Sequence, residues 1–183
     1  MTTVWTVGHS THPIEGFLEL LRGAGVRRLG DVRTAPGSHR NPQFSRGALA
    51  ASLESAGIAY EWWGEELGGW RKAGPDSRHT ALRSASFRGY ADHMESEGFR
   101  EALDRLLGWA DEAPTAVMCA EALWWRCHRS MLADGIVARG HDVRHLMPDG
   151  SEAPHRPRFA RVEDGTPVYE APAERTQDRL FDG

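Results

Sequence analysis

The chain is poor in cysteine, in lysine and in long apolar runs. Its 183 residues include two cysteines, Cys119 and Cys127, too few for a disulfide framework. In a reducing cytosol such a pair reads as free thiols, metal ligands or a redox couple. No apolar run approaches the roughly 20 residues that a membrane-spanning helix needs, and no stretch resembles a signal peptide. The expectation is a cytoplasmic protein with no membrane partner. Lysine is nearly missing, since Lys72 stands alone beside the arginines. The formal net charge of −4 argues against a broadly basic nucleic-acid binder. No internal repeat is present.

What is there is concentrated. Val117 to Arg129 reads Val-Met-Cys-Ala-Glu-Ala-Leu-Trp-Trp-Arg-Cys-His-Arg, and it holds both thiols, a carboxylate, an imidazole and two guanidiniums. Thr115 to Met118 reads as a buried strand and Arg126 onward as a helix. In an open α/β sheet, ligands bind at such strand-to-helix turns.

Charge is also uneven. Arg33 to Arg46 holds Arg33, His39, Arg40 and Arg46 and no acid, and Trp70 to Tyr90 holds six basic side chains against Asp76. Acids gather in Glu95 to Glu112. One basic region on an acidic protein suits an anionic ligand. Coding bias toward arginine is the competing reading.

In chain order, Val4 to Val7 predicts a first strand ending at Gly8-His9-Ser10. A helix follows, capped by Thr11 or His12, with Ile14, Phe17, Leu18 and Leu21 on one face. Val26 to Val32 predicts a second strand and Thr34 to Phe44 a loop. Ser45 predicts the cap of a helix through Leu49 and Leu53. Ile58 to Trp63 predicts a third strand, residues 71–85 an irregular segment, and Ser86 a cap. A helix striped with Phe99, Leu103, Leu106, Leu107 and Ala110 comes next. A helix over residues 126–139 and a strand at Asp142 to Met147 complete an alternation that predicts an α/β fold. The expected form is a three-layer, mainly parallel Rossmann-like sheet with helices on both faces. A C-terminal β-hairpin extension on Asp164-Gly165 is expected at about residues 155–170. Residues 1–170 then form a single domain and residues 171–183 a disordered tail.

These strand ends carry a resemblance. The chain resembles domain-of-unknown-function family 488 through Thr6-Val7-Gly8-His9-Ser10, Asp31-Val32-Arg33 with Asn41-Pro42-Gln43-Phe44, Leu67-Gly68-Gly69, Ser86 to Ala91, and Met118-Cys119-Ala120-Glu121 with Cys127-His128-Arg129. The resemblance covers residues 3 to about 169. It implies a compact α/β fold and a shared pocket, and no particular reaction.

Two classes of function follow from the residues. The first is an enzyme with Cys119 and Cys127 at its centre and Glu121, His9 or Asp31 moving protons. A thiolate is favoured beside a helix N-terminus and arginines. Ser10, Arg33, Arg40, Asn41, Arg88, Tyr90, Arg126, His128 and Arg129 are its candidate contacts to an anionic small molecule, nucleotide or nucleic acid. A transition-metal ion held by Cys119, Cys127, His128 and His9 is the metal form of this reading, although no Cys-x-x-Cys is present. Cys119 and Arg126 also resemble the Cys-loop-Arg of phosphatases, with one residue too many between them. The competing readings are a buried, inert Cys127 and an Asp31 that simply holds Arg33. The second class is a non-catalytic nucleic-acid or clamp-associated module in DNA maintenance. Gln177, Leu180 and Phe181 resemble the bacterial sliding-clamp-binding pentapeptide, in which two apolar anchors enter a groove.

Overall fold

A computed structural model describes residues 1–37 and 39–172. Among them a six-stranded mixed sheet is built from β1 (Thr3–Gly8), β2 (Arg28–Asp31), β3 (Ala59–Trp62), β4 (Thr115–Cys119), β5 (Asp142–Leu146) and β6 (Glu152–Pro154). The spatial order is β3-β2-β4-β1-β5-β6. The first five strands pair in parallel and β6 runs antiparallel to β5 at the edge. The helices are α1 (Ile14–Gly23), α2 (Arg46–Ser55), α3 (Gly64–Leu67), α4 (Ala85–Met94), α5 (Glu97–Glu112) and α6 (Arg129–Ala138). A separate antiparallel hairpin joins β7 (Arg161–Glu163) and β8 (Thr166–Val168).

The apolar pattern explains the assembly. Neighbouring residues of a strand face opposite sides of a sheet. On β4, Ala116 and Met118 enter a core with Phe17 and Leu21 of α1 and Leu49 and Leu53 of α2. Val117 between them enters a second core, with Tyr90 and Met94 of α4, Leu103 and Leu106 of α5, and Leu132 and Ile136 of α6. All five residues of β4 are buried, as expected of a central strand with near-continuous apolar sequence.

Several boundaries differ from expectation. Pro13 precedes α1 as its cap residue, since its fixed φ suits a helix start and it needs no N–H partner. Ser84, one turn before the Phe87 amide it accepts from, caps α4 in place of Ser86. Trp124–Arg126 forms a separate 3-10 turn, so α6 starts only at Arg129. The edge strand β6 was not expected. It is three residues long and carries Pro154, both features of edges. The hairpin is shorter than 155–170: its strands begin at Arg161, extended only by the Ala160 amide donating to the Val168 carbonyl, while the His155 amide donates to the Val143 carbonyl of β5.

Register positions the site. Gly8 pairs with Cys119, and Asp31 pairs with Met118. The ends of β1, β4 and β2 therefore lie level and side by side, with Cys119 between His9 and Asp31.

Candidate functional site

Beyond the strand ends, the backbone ladder continues for one more step. The His9 amide donates to the Cys119 carbonyl and the Ser10 amide to the Ala120 carbonyl, both at 3.0 Å. Gly8 is required there, because a Cβ on it would stand 1.9 Å from the Glu121 carbonyl oxygen. Ser10 turns the chain away with φ of 45°, a left-handed conformation uncommon for a residue with a side chain.

Asp31 and Arg33 form a buried ion pair at the end of β2. Arg33 donates from Nε to Asp31 Oδ1 at 2.8 Å and from Nη2 to Oδ2 at 2.6 Å. The Tyr60 hydroxyl adds a bond to Oδ2 at 2.8 Å. Burial, with the Asp31 charge next to it, pushes the Tyr60 hydroxyl pKa up. The remaining Arg33 nitrogen donates to the Phe44 carbonyl at 2.9 Å and to His9 Nε2 at 3.2 Å. His9 Nδ1 donates to the Ser10 carbonyl at 2.9 Å. A carbonyl on one side and a guanidinium on the other require a neutral ring. Burial holds the His9 pKa down at about 4. Asp31, Arg33 and His9 thus form one buried network, stacked through His9 on Phe44 at 4.3 Å.

The two cysteines meet. Their Sγ atoms lie 3.0 Å apart, beyond the roughly 2.05 Å of a disulfide and within hydrogen-bond reach. Both are free and buried. The Arg129 amide at the start of α6 donates to Cys127 Sγ at 3.3 Å. The Arg129 side chain is 1% exposed. Its Nη2 reaches the Glu121 and Ala122 carbonyls at 3.1 and 3.2 Å, while Nε and Nη1 have no hydrogen-bond partner. Among the described residues no carboxylate pairs with this charge. The Cys127 thiol donating to it, with the Arg129 charge nearby, holds the Cys119 thiol below its ordinary pKa. The same bond and burial push Cys127 up. The two sulfurs are thus unequal, with Cys119 the one that ionises more easily.

A cleft of about 400 Å³ opens on this pair. Cys119, Glu121, Arg126, Cys127, His128 and Arg33 line it, together with Gly69, Trp70, Ser86 and Phe87. His128 donates from Nε2 to the Val32 carbonyl at 3.1 Å and is held down at about 4 by burial. Its other nitrogen sits against Gly69, where a Cβ would come within 2.3 Å. An adjoining lobe of about 420 Å³ is lined by His9, Ser10 and Asn41, and it shares Arg33, Ala120 and Trp70 with the first. Trp70 is 78% exposed at the mouth.

Other candidates lie elsewhere. Arg40 is exposed and lines neither lobe. Arg88 closes a loop by donating to the Leu82 and Arg83 carbonyls. Tyr90 is fully buried, donating to the Leu67 carbonyl at 2.9 Å. The four candidate metal ligands are not gathered: among the described residues no group of three or more His, Cys, Asp or Glu could hold a metal ion. Both ring nitrogens of His9 already have partners. Gln177, Leu180 and Phe181 lie outside the described residues.

Sequence reasoning missed a buried relay behind the turn. The Thr6 hydroxyl meets His145 Nδ1 at 2.6 Å, His145 Nε2 meets His155 Nδ1 at 2.9 Å, and His155 Nε2 meets Asp134 Oδ1 at 2.8 Å. Tyr169 donates to Asp134 Oδ2 at 2.7 Å. Trp124 stacks on His145 at 3.9 Å. These six residues come from separate segments of the chain and meet only through packing.

The fold and the site together define an α/β protein with a buried cysteine pair at the carboxyl edge of a mostly parallel sheet. The chain belongs to the family described as Domain of unknown function DUF488, whose model matches residues 13–136, more than half of the chain. No curated protein and no solved structure matches it. Among the described residues no helix is long and apolar enough to cross a membrane.

Proposed function

We propose that this is a thiol-dependent enzyme site in which Cys119 is the nucleophile and an anionic ligand, a nucleotide or nucleic acid, occupies the cleft. We read its scaffold as a three-layer, Rossmann-like arrangement. The observation that carries the proposal is the 3.0 Å contact between the two sulfurs beside an Arg129 charge with no carboxylate partner. A buried guanidinium needs an anion nearby, and a Cys119 thiolate supplies one. Thiolates, not thiols, are the nucleophiles. Arg126 is exposed at the cleft wall and free to meet a ligand anion, whereas Arg33 is already committed to Asp31, His9 and Phe44. Glu121 also lines the cleft and is the accessible carboxylate for proton transfer.

The test is the pH dependence of iodoacetamide alkylation, read by peptide mass. Cys119 is expected to react well below the ordinary thiol range, and Arg129→Met is expected to slow it about tenfold near neutral pH, the equivalent of one pKa unit. Nucleoside monophosphates or a single-stranded oligonucleotide are expected to protect Cys119. Ordinary thiol reactivity at Cys119 would remove the nucleophile, and no protection by either ligand would remove the anion.

A second reading has one observation in its favour. Trp70, exposed at the mouth, offers a stacking platform for a base. In a binding module, salt-dependent oligonucleotide binding would survive Cys119→Ser. The same module would dock on a sliding clamp through Gln177, Leu180 and Phe181, and Leu180→Ala with Phe181→Ala would abolish that docking.

A further inference from the structure

We propose that Cys119 and Cys127 form an exchanging dithiol, whose substrate is an external disulfide and whose products are two thiols. The inference rests on the thiolate reading of Cys119 and extends it to the second sulfur. A lone nucleophile has no need of another thiol at 3.0 Å. In the first step the Cys119 thiolate attacks one sulfur of the external disulfide. The Cys119–S bond forms, the external S–S bond breaks, and one external thiolate leaves. In the second step Cys127 gives its proton to that thiolate and attacks Cys119 Sγ. The Cys119–Cys127 bond forms and the second external sulfur leaves as a thiolate. The external disulfide is reduced by two electrons and the cysteine pair is oxidised by two.

Arg129 opposes closure of the pair, so an excess of external disulfide is needed to drive it. The dithiol form carries an anion beside its guanidinium, and the disulfide form carries none. Closing the disulfide therefore leaves a buried charge with two unbonded nitrogens and, among the described residues, no carboxylate in an ion pair with it. That is costly, so the reduced pair is favoured and the disulfide is readily reduced. Stabilising the reduced form is what makes a dithiol pair oxidising. Access is by way of the cleft, which both cysteines line with only 2% and 7% of their surface exposed, beside exposed Trp70.

The experiment incubates full-length protein with excess glutathione disulfide near neutral pH, quenches in acid, and counts free thiols by mass. Wild type is expected to lose both thiols together and keep no glutathione. Cys127→Ser is expected to hold one glutathione on Cys119, and Cys119→Ser to acquire it at least about tenfold more slowly. Arg129→Met is expected to raise the equilibrium constant for oxidation by about tenfold or more in glutathione buffers. The trapping result does not depend on whether that variant folds. Two thiols surviving in wild type, or no adduct on Cys127→Ser, overturns the proposal. Fast alkylation of Cys119 without exchange would sink the dithiol and spare the nucleophile. Slow alkylation without exchange would sink both.

Discussion

Gly8 shows how little room the strand edge has. Its missing Cβ is what lets the Glu121 carbonyl come as close as it does. Gly8→Ala is expected to cost about 3 kcal/mol, the upper range for forced overpacking, as measured by urea unfolding. Gly98→Ala, where a Cβ meets nothing within 4 Å, is the control and should be close to neutral. Asp31 makes a second demand. Asp31→Asn removes the charge that holds a buried Arg33, and breaking a buried pair typically costs about 3–5 kcal/mol. Arg33 then keeps at most one of its two side-chain bonds to this position and faces an amide donor at the other, and its hold on His9 loosens. If the midpoint of Asp31→Asn matches wild type, the network is not what holds this edge together.

At the level of elements, the turn between β4 and α6 is held from behind. Trp124 lies nearly parallel to His145, with 4° between the rings, and His145 is tied through His155 to Asp134 of α6. The relay thus staples the loop that carries Glu121 and Arg126 to the first strand and the last long helix. Trp124→Ala removes the stacked ring without touching a cysteine. It is expected to speed amide hydrogen exchange in residues 120–127 by about tenfold, as local openings of low free energy do. Exchange in α5 should not change. Equal acceleration in both would mean that Trp124 supports global stability only. The cap of α5 offers a simpler case. Ser96 accepts from the Phe99 amide at 3.3 Å, and Ser96→Ala should cost about 1 kcal/mol.

Across the whole molecule, histidines held toward the neutral form couple stability to pH, His79 and His93 by direction and three others by larger shifts. Burial holds His9 and His128 at about 4 and His145 at about 3, against an ordinary 6.5. In the unfolded chain each takes up a proton as pH falls through 6.5, whereas in the fold it does not until much lower. The unfolded state therefore binds more protons between those limits, and stability falls with falling pH. It is fully present above 6.5 and is lost progressively toward the folded pKa values. Each histidine contributes at most about 1.4 kcal/mol per pH unit over that window. Urea midpoints are expected to drop steadily from pH 7 to pH 5. A flat profile would mean that these rings are solvated or already charged in the fold.

Local chemistry made much of this chain legible in advance. Strand ends such as Gly8-His9-Ser10 and Cys119-Ala120-Glu121 stand out because polar, nucleophilic residues follow apolar β-branched runs. The alternation of strands and helices announced an α/β protein for the same reason, as did the Asp164-Gly165 hairpin. The partnering of those ends was not legible. Helical crossovers permit many strand orders, and nothing near Cys119 states that β4 inserts between β1 and β2. That insertion brings His9, Asp31 and Cys119 to one level. Asp31-Val32-Arg33 read equally well as a ligand pair or a salt bridge until Tyr60, His9 and Phe44 closed around it. The relay of Thr6, His145, His155 and Asp134 has no sequence signature, because its members are far apart in the chain and meet only through packing. Residue types set which chemistry this chain can carry. Burial and strand order set which thiol ionises more easily, which arginine is left without a carboxylate among the described residues, and which histidines are held toward the neutral form.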